Sequence, residues 1–264
     1  MEIPIYQIDA FASRVFTGNP AAVCPLEKWL PDTVMQAIAQ ENNLSETAFF
    51  VQEGDGYHIR WFTPKAEVDL CGHATLGSAY VLFECIKIDR DTIRFKSKSG
   101  PLTVTRQDHL MTLDFPVQQP KPCDPPKDLL NALRVEPKDV PPEEVLLAED
   151  YIIVYAAGSD VSLCRPDFGM LKGLEARGVA ITAPGNDVDF VSRFFAPNIG
   201  IDEDPVTGSV HCALTPYWSR KLGKKRLVAH QLSERGGQLI CTDEGDRILI
   251  SGQAVEYLKG EITL

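Results

Sequence analysis

Two glycine-led segments stand where helices are predicted to begin, and each could bind an anion. Gly72-His73-Ala74 opens one predicted helix and Gly208-Ser209-Val210 opens another. The first turn of a helix has unpaired backbone N–H groups and a partial positive charge, which attract a carboxylate without a basic side chain. Glycine lets a ligand approach the backbone closely, although either glycine could equally serve tight packing. Two such segments in one chain favour a ligand-binding role.

Three side chains near the first segment belong to types that move protons. Glu46 stands where a predicted helix gives way to a strand, a place where an isolated glutamate is more often a capping or surface group. His73 can donate a hydrogen bond or shuttle a proton, although a lone histidine is usually structural. Cys71 could act as a base if the helix start lowered the pKa of its thiol, or it could be a small buried filler. Residue type and spacing leave these alternatives open.

The sequence shows no cofactor or metal motif. It contains no Gly-x-Ser-x-Gly elbow, no phosphate-binding P-loop and no dinucleotide fingerprint. The spacing of its histidine, cysteine and aspartate residues does not match a metal-ligand pattern. His211 and Cys212 are expected to pack within or cap a helix. We therefore predict a protein with neither an organic cofactor nor a bound metal.

A repeated motif relates the two glycine-led segments. Arg60-Trp61-Phe62-Thr63-Pro64 resembles Arg193-Phe194-Phe195-Ala196-Pro197, 133 residues further along the chain. Each pentapeptide leads into an acidic loop, then a glycine and a helix of small residues. Chance could explain the pentapeptides alone, but the matching order downstream favours duplication. Two like halves that faced each other would place both glycine-led segments at the cleft between them.

Periodicity and turn residues predict a mixture of strands and helices. Predicted strands cover residues 3–11, 47–51, 57–62, 92–96, 102–105, 111–115, 151–156, 178–182 and 188–195, and predicted helices cover residues 74–84, 129–133, 168–174 and 209–222, with a further helix from residue 31. Eight prolines between residues 116 and 142 indicate a linker. We predict an N-terminal half of residues 1–118 and a C-terminal half of residues 119–264, whose last strand can cross to the first half.

Bulk composition narrows the classes of function. Among the 264 residues, 44% are hydrophobic and 24% are charged, as expected of a globular protein. A formal net charge of −11 argues against binding to nucleic acid and to an anionic membrane surface. The seven cysteines are scattered, the first residues carry no basic and apolar signal, and no apolar stretch is long enough to cross a bilayer. These features predict a cytoplasmic protein.

The motifs together resemble those of the phenazine-biosynthesis PhzF family. They are Asp9-Ala10-Phe11, Gly18-Asn19-Pro20-Ala21-Ala22-Val23, Asn43-Leu44-Ser45-Glu46-Thr47-Ala48-Phe49, Arg60-Trp61-Phe62-Thr63-Pro64, Leu70-Cys71-Gly72-His73-Ala74-Thr75, Glu203-Asp204-Pro205-Val206-Thr207-Gly208-Ser209, Arg235-Gly236-Gly237 and Gly252-Gln253-Ala254-Val255. They occur in the family's order from residue 9 to residue 255, so the resemblance covers nearly the whole chain.

The resemblance implies an α+β fold of the diaminopimelate epimerase type, in which two similar halves each wrap a barrel-like sheet around a central helix. It implies a cofactor-independent isomerase whose acid–base residue is Glu46, assisted by His73 and Asp204. The substrate-binding residues that it implies are Gly72, Gly208 and Ser209. The family's best-known reaction moves a proton between carbons of a dihydro-hydroxyanthranilate, so a small anionic substrate is expected. The assembly that the resemblance implies is a homodimer.

Two alternatives stay open beside this interpretation. Related epimerases and proline racemases use two cysteines as opposed bases, and Cys71 can match the first of them. The second loop has Asp204 and Thr207 instead, which favours a single carboxylate over a two-base racemase pairing Cys71 with Glu46 or Asp204. The other alternative is a binding or regulatory protein on the same fold, because a fold alone does not fix an activity.

Overall fold

The computed structural model describes residues 1–135 and 140–264, which form two compact units. The first unit comprises Met1–Phe115 together with Ile250–Leu264, and the second comprises Pro116–Leu249. The sequence placed the division between residues 118 and 119. The final segment joins the first unit because its last strand pairs with the first strand of the chain. Pro137, one of the prolines of the predicted linker, lies outside the described residues.

The first unit is a sheet with two helices. Its strands are β1 (Glu2–Ala10), β2 (Asn19–Leu26), β3 (Glu46–Glu53), β4 (Gly56–Phe62), β5 (Glu67–Val68), β6 (Thr92–Ser97), β7 (Gly100–Gln107), β8 (Leu110–Pro116) and, from the end of the chain, β17 (Ala254–Thr263). Its helices are α1 (Asp32–Asn42) and α2 (Gly72–Tyr80), and α2 continues into one π-helical turn, Val81–Cys85. The helix predicted over residues 74–84 therefore begins two residues earlier and changes its hydrogen-bond pattern halfway.

The second unit has the same kind of architecture. Its strands are β9 (Lys121–Pro122), β10 (Glu144–Leu147), β11 (Tyr151–Val154), β12 (Val179–Pro184), β13 (Phe190–Phe195), β14 (Arg226–Gln231), β15 (Gly237–Asp243) and β16 (Arg247–Gly252), the last of which runs on into the first unit. Its helices are α3 (Leu129–Leu133), α4 (Gly158–Leu163), α5 (Phe168–Leu171) and α6 (Gly208–Leu222), and a 3-10 turn covers Pro197–Ile199.

The two units repeat one order of strand directions. In the first unit, β1 and β2 are antiparallel, β2 and β3 parallel, β3 and β4 antiparallel, β4 and β6 parallel, and β6 and β7 antiparallel. The series β10, β11, β12, β13, β14 and β15 of the second unit shows the same alternation. This repeat is the structural form of the duplication predicted from the two pentapeptides, and it makes the two halves similar.

Helix α2 is the central helix of the first unit, as α6 is of the second. Every residue of α2 from His73 to Ala79 is buried, and the helix packs against β1, β2, β3 and β17. A helix that is buried all round belongs to an interior rather than to a surface. Most of α6 is buried as well, against β14 and β15. Over residues 1–135 and 140–264, no helix has both the length and the apolar character needed to cross a membrane.

A proline inside α6 is accommodated by the segment that follows β8. Pro216 has no N–H group, so the carbonyl of Cys212, four residues earlier, has no helical donor. The backbone N–H of Gln118 donates to that carbonyl at 3.1 Å. The segment is thereby held against α6.

Matched ion pairs hold the acidic loop of each unit. The guanidinium of Arg60 donates to both carboxylate oxygens of Glu67, from Nε at 2.8 Å and from Nη2 at 2.9 Å. Arg193 binds Glu203 in the same way, at 2.7 Å and 2.9 Å. In both loops the glutamate lies five residues before the first residue of the central helix. The pairs therefore fix where each central helix begins.

Candidate active site

The end of α1 places Glu46 at the start of a central strand. Asn43 follows α1 in the left-handed conformation, with φ 49°, and its N–H bonds the carbonyl of Ala39 at 3.2 Å. Asparagine tolerates this conformation better than most residues and commonly ends a helix. Three residues later β3 begins with Glu46, between β2 and β4. The side-chain amide of Asn42 also donates to Thr47 Oγ1 at 3.1 Å, which anchors the beginning of the strand.

Glu46 and His73 form a buried pair. Oε2 of Glu46 lies 3.2 Å from Nε2 of His73, and the two side chains are 11% and 7% exposed. Although the two atoms are within ion-pair distance, Oε2 makes no hydrogen bond of good geometry to any described residue. Buried polar atoms are nearly always hydrogen-bonded, so an exception needs a functional or structural reason. This carboxylate oxygen is available to accept a proton.

The far side of the His73 ring contacts an amide and a thiol. Nδ1 lies 3.2 Å from Asn19 Nδ2 and 3.5 Å from Cys71 Sγ. Burial opposes a positive charge on the ring, whereas the negative charge of the Glu46 carboxylate raises the pKa of His73. A side-chain amide can present either its donor or its acceptor to the ring, so Asn19 suits both protonation states of the imidazole.

Cys71 is a neutral thiol at ordinary pH. Burial, followed by the charge of Glu46, raises the pKa of this thiol to about 11. The start of α2 therefore does not activate Cys71 as a base. The sequence left open whether Cys71 is a base or a small buried side chain, and the structure favours the buried side chain.

Glu46, Cys71 and His73 also have the donor types of a metal site. One donor atom from each lies within 4.8 Å of the other two, which makes this a candidate metal-binding group in the part of the chain that the structure describes. Thiolate, imidazole and carboxylate are all zinc ligands. Cys71 and His73 lie at the start of α2, whereas Glu46 lies at the start of β3. The spacing of the three residues in the sequence therefore did not indicate this group.

A hydrogen-bond network fixes the corresponding loop of the second unit. Thr207, the residue before α6, donates from Oγ1 to Asp204 Oδ2 at 2.5 Å. Gln231 at the end of β14 donates from Nε2 to the carbonyl of Asp204 at 2.8 Å, and its Oε1 accepts from the N–H of Thr207 at 2.9 Å. Gln231 thus holds both ends of the Asp204–Thr207 turn.

The matched ion pairs define which residues of the two loops correspond. Counted from Glu67 and Glu203, Cys71 corresponds to Thr207 and His73 to Ser209. Cys71 and Thr207 both precede their helix in an extended conformation, at φ −145° and φ −115°. No second thiol therefore stands at the position equivalent to Cys71.

His211 packs inside the second unit, as the sequence suggested. Its Nδ1 lies 2.7 Å from the carbonyl of Thr207, and Thr75 Oγ1 donates to the carbonyl of Cys71 at 2.5 Å at the corresponding place. Burial lowers the pKa of His211 to about 4, which keeps the ring neutral.

The structure brings some of the predicted residues into contact. In the first unit Glu46 meets His73, and Gly72 is the first residue of α2. In the second unit Asp204 meets Thr207, and Gly208 and Ser209 are the first two residues of α6. The sequence assigned no role to three residues that contact these side chains. Asn19 lies beside His73, Gln231 binds Thr207, and Arg177 Nη2 donates to Ser209 Oγ at 3.2 Å. A signal existed only for Asn19, in the Gly18-Asn19-Pro20 motif.

Gly18 explains why that motif aims Asn19 at His73. Gly18 has φ 70°, and a Cβ atom on it would lie 2.2 Å from the carbonyl oxygen of Ala10. Only glycine fits such a close approach between backbones. The turn allows β2 to begin at Asn19 and pair with β1.

Fold and site together define a class, an α+β protein of the diaminopimelate epimerase type, built from two similar units with a buried carboxylate–imidazole pair beside one central helix. The model of the phenazine biosynthesis-like protein family, PhzC-PhzF, matches residues 8–260, and the chain belongs to that family.

Relatives with high identity agree with this assignment. Two uncharacterized isomerases of Pseudomonas aeruginosa are 50% and 51% identical to the chain, over 100% of both partners in each comparison. The crystal structure of a PhzF family protein of Enterococcus faecalis is 48% identical and covers 100% of both chains with a TM-score of 0.96. A probable proline racemase of Agrobacterium radiobacter shares the fold at 11% identity, with a TM-score of 0.66 over 99% of this chain and 93% of its own. Relatives named isomerases support an isomerase or epimerase activity for this chain.

Proposed function

We propose that the protein is a cofactor-independent isomerase that moves a proton between carbon atoms of a small cyclic carboxylate, with Glu46 as its single acid–base residue. The observation that carries the proposal is the buried Oε2 of Glu46, which lies 3.2 Å from His73 and has no hydrogen bond of good geometry among the described residues. A general base needs a lone pair that is free to take the proton.

The proposed reaction is balanced without any other reactant. The Glu46 carboxylate removes a proton from a substrate carbon, and the electron pair left behind spreads into the π system of the substrate. Glu46, now a carboxylic acid, exchanges its proton with the solvent and delivers a proton to another carbon of that system. His73 stabilises the carboxylate before and after the transfer, and the helix start at Gly72 supplies N–H donors to the negative charge of the substrate.

A two-base mechanism is less well supported. The pKa of Cys71 is raised to about 11, so the thiol holds its proton at neutral pH. The corresponding residue of the second unit is Thr207, whose hydroxyl already donates to Asp204. Neither group resembles the activated thiolates that a cysteine racemase needs.

Exchange of a carbon-bound hydrogen for deuterium tests the proposal. Wild-type protein would be incubated in deuterated water with a dihydro-hydroxyanthranilate, proline and other small cyclic carboxylates, and exchange followed by NMR. Glu46→Gln keeps the shape of the side chain but cannot accept the proton, so exchange of the reactive compound should fall by ~10²–10⁴-fold. Exchange at the wild-type rate in this variant would refute the assignment.

Glu53→Gln is the matched control. Glu53 lies at the other end of the same strand, its side chain is 52% exposed and its partner is Lys96. The substitution makes the same chemical change away from the candidate site, and exchange should stay at the wild-type rate.

The remaining alternatives give different results. A regulatory or binding protein would bind carboxylates without exchanging hydrogen. A metal-dependent enzyme would be purified with stoichiometric metal at the Glu46, Cys71 and His73 group, and a chelator would abolish exchange. The proposal expects exchange that is unaffected by a chelator.

A further inference from the structure

The candidate metal-binding group of Glu46, Cys71 and His73 lies within the first unit and offers three different donors. All three residues are at least nine-tenths buried, with Glu46 9%, Cys71 7% and His73 6% exposed. The Oε2 atom of Glu46 makes no hydrogen bond of good geometry to any described residue. A buried oxygen with an unused lone pair, beside an imidazole and a thiol, points to a ligand that accepts electron pairs.

The distances between the donor atoms suit a tetrahedral zinc ion. Nε2 of His73 lies 3.2 Å from Oε2 of Glu46 and 3.9 Å from Sγ of Cys71. With Zn–S of about 2.3 Å and Zn–N and Zn–O of about 2.0–2.1 Å, ligand atoms at tetrahedral angles stand roughly 3.3–3.6 Å apart. The thiol sulfur and a carboxylate oxygen lie within 4.8 Å of each other, so a side-chain movement of about 1 Å brings all three onto one ion.

Asn19 is placed to hold the His73 ring in the tautomer that zinc requires. An imidazole that binds a metal through Nε2 carries its proton on Nδ1 and usually donates it to a neighbouring acceptor. Nδ1 lies 3.2 Å from the side-chain amide of Asn19, which can present its oxygen there. Sγ of Cys71 lies 3.5 Å from Nδ1, so a small rotation of the ring turns Nε2 towards the space between thiol and carboxylate.

Charge balance favours a divalent ion with an affinity for sulfur at this buried place. Zn²⁺ displaces the proton of the Cys71 thiol, which passes to the buffer, and the ion then binds the thiolate, the neutral imidazole and the Glu46 carboxylate. One ion of charge +2 and two ligands of charge −1 make a neutral group, which can stay buried. Mg²⁺ and Ca²⁺ prefer oxygen ligands and would leave the sulfur and the nitrogen unused.

We infer that Glu46, Cys71 and His73 form a reversible zinc-binding site, and that zinc bound there inhibits the protein by occupying the lone pair of Glu46 that takes the substrate proton. The inhibition rests on the proposed function, whereas the binding does not. Three protein ligands, instead of the four of a structural zinc site, leave one position of the ion open to water. The active form is the metal-free one, and a chelator should restore it.

Titration of the full chain with Co²⁺ tests the binding directly. Protein treated with a chelator and then freed of it is titrated, and the bond between Co²⁺ and a thiolate is detected by its charge-transfer band in the near ultraviolet. One equivalent of Co²⁺ should produce this band, and Zn²⁺ should remove it by displacement. Calorimetry then measures the affinity for Zn²⁺.

Substitution of each ligand locates the site. Loss of a residue that only orients a metal ligand costs about 10–100-fold in affinity, so Cys71→Ser, His73→Gln and Glu46→Gln should each weaken zinc binding about 100-fold or more. Cys71→Ser should also lose the Co²⁺ band, because no thiolate remains at the site. Circular dichroism checks that each variant is folded, and the three substitutions are independent, so one unfolded variant leaves two that decide.

His58→Gln is the matched control. Nδ1 of His58 lies 3.6 Å from Oε2 of Glu53, with side chains 29% and 52% exposed, so this pair repeats the histidine–glutamate contact near the surface. Cys123→Ser is the control for thiols, since it removes a half-buried cysteine of the second unit. Both variants should keep the Co²⁺ band and the wild-type affinity for zinc.

Hydrogen exchange on the substrate tests the inhibition. Exchange by the wild-type protein should stop as one equivalent of Zn²⁺ binds, return when a chelator is added, and stay unchanged in Mg²⁺. In Cys71→Ser, half-inhibition of the exchange that this variant shows without metal should need about 100-fold more zinc.

The outcomes separate this inference from the proposed function. A wild-type protein without the Co²⁺ band, or folded variants of the three ligands with wild-type zinc affinity, would overturn the inference and leave the assignment of Glu46 intact. Zinc that bound at the group and left exchange at its full rate would overturn the inhibitory role. If Glu46→Gln exchanged hydrogen at the wild-type rate but bound zinc weakly, the proposed acid–base residue would be wrong and the zinc site would stand.

Discussion

At the scale of single residues, the chemistry of Cys71 is decided by its surroundings rather than by its place at a helix start. A helix N-terminus stabilises a thiolate, but this thiol is buried beside the carboxylate of Glu46. Desolvation and the neighbouring negative charge both favour the protonated form. The same carboxylate acts in the opposite sense on His73, where it favours the charged ring. Burial and Glu46 together keep the Cys71 thiol protonated, whereas Glu46 opposes the effect of burial on His73.

We predict that Cys71 reacts slowly with iodoacetamide near neutral pH. Because only the thiolate reacts and the pKa is about 11, the rate should rise about tenfold per pH unit up to that value. The folded protein is thus stabilised relative to the unfolded chain below the usual thiol pKa, and this contribution is lost as the pH rises through 11. Peptide-resolved mass spectrometry measures the rate, with the half-buried Cys123 as the internal comparison.

Two variants test how Glu46 and Cys71 affect each other and the reaction. In Glu46→Gln the neighbouring charge is gone, so the pKa of Cys71 should fall and its alkylation at pH 8 should accelerate. Cys71→Ala should keep substantial hydrogen exchange on the substrate. A folded Cys71→Ala protein without exchange would instead favour the two-base mechanism.

The roles of Glu46, His73 and Asp204 were predicted only through family motifs, whereas Gly72 and Gly208 also followed from their places at predicted helix starts. No periodicity or spacing relates Glu46 to His73, because β3 and α2 come together only when the sheet forms. Asn19 and Gln231 approach the site from strands far away in the sequence, at 54 residues from His73 and 24 residues from Thr207. Arg177 escaped notice for the same reason, since an arginine in a loop has no pattern of its own.

At the scale of elements, the ion pairs of Arg60 and Arg193 make the duplication visible in three dimensions. Each guanidinium pairs with a glutamate of the following loop and lies about 5 Å above a phenylalanine ring of its own strand, at 5.1 Å from Phe62 and 5.0 Å from Phe195. Arg193 additionally donates to the carbonyl of Cys164 at 2.8 Å. The pentapeptides were similar in sequence because each holds the same arginine in the same environment.

We predict that Arg193→Gln destabilises the protein by about 3 kcal/mol, because it leaves the carboxylate of Glu203 without the guanidinium and removes the hydrogen bonds from Arg193 to the carbonyls of Val161 and Cys164. The side chains of Arg193 and Glu203 are only 11% and 21% exposed. Urea denaturation measures the loss. Local hydrogen exchange should increase most in the loop before α6.

The double variant Arg193→Gln, Glu203→Gln isolates the contribution of the ion pair when its stability is compared with that of Arg193→Gln. Removing both charges should recover part of the lost stability, since no unpaired carboxylate is left. Equal stability of the single and double variants would show that the ion pair is not the cause.

Helices α3 and α6 were predicted to within one residue at both ends, whereas strands β2 and β10 were not predicted. The hairpin of β3 and β4 followed from alternation and the turn at residues 53–56, and both strands extend only a residue or two beyond prediction. The π-helical turn Val81–Cys85 has no sequence signal comparable to a glycine or a cap. In α6 the proline at 216 would normally end a helix, and only the donor from Gln118 allows the helix to continue.

At the scale of the whole molecule, the first unit is made from the two ends of the chain. Strand β17 pairs with β1 along its full length, from Glu2 opposite Thr263 to Ala10 opposite Ala254. The side chain of Ile262, in β17, packs against the apolar cluster that contains Met35 and Phe49. The second unit, by contrast, is one continuous stretch, Pro116–Leu249.

We predict that a chain shortened to residues 1–252 keeps a folded second unit and loses protection in the first. Removing β17 leaves β1 with an unpaired edge and exposes part of the apolar cluster beneath it. Hydrogen exchange should be fast at β1 and near wild type at β11 to β14. Uniform loss of protection would mean that the two units unfold as one.

This pairing also dictates an order of events on the ribosome. The residues of β1 are translated before those of β17, so β1 is without this partner until residues 11–253 between them have been synthesised. The contiguous second unit can meanwhile complete all its internal contacts. Pairing between strands so distant in sequence is slow. During that interval the edge of β1 that pairs with β17 is open, and we expect chaperones that bind exposed strands to act on β1.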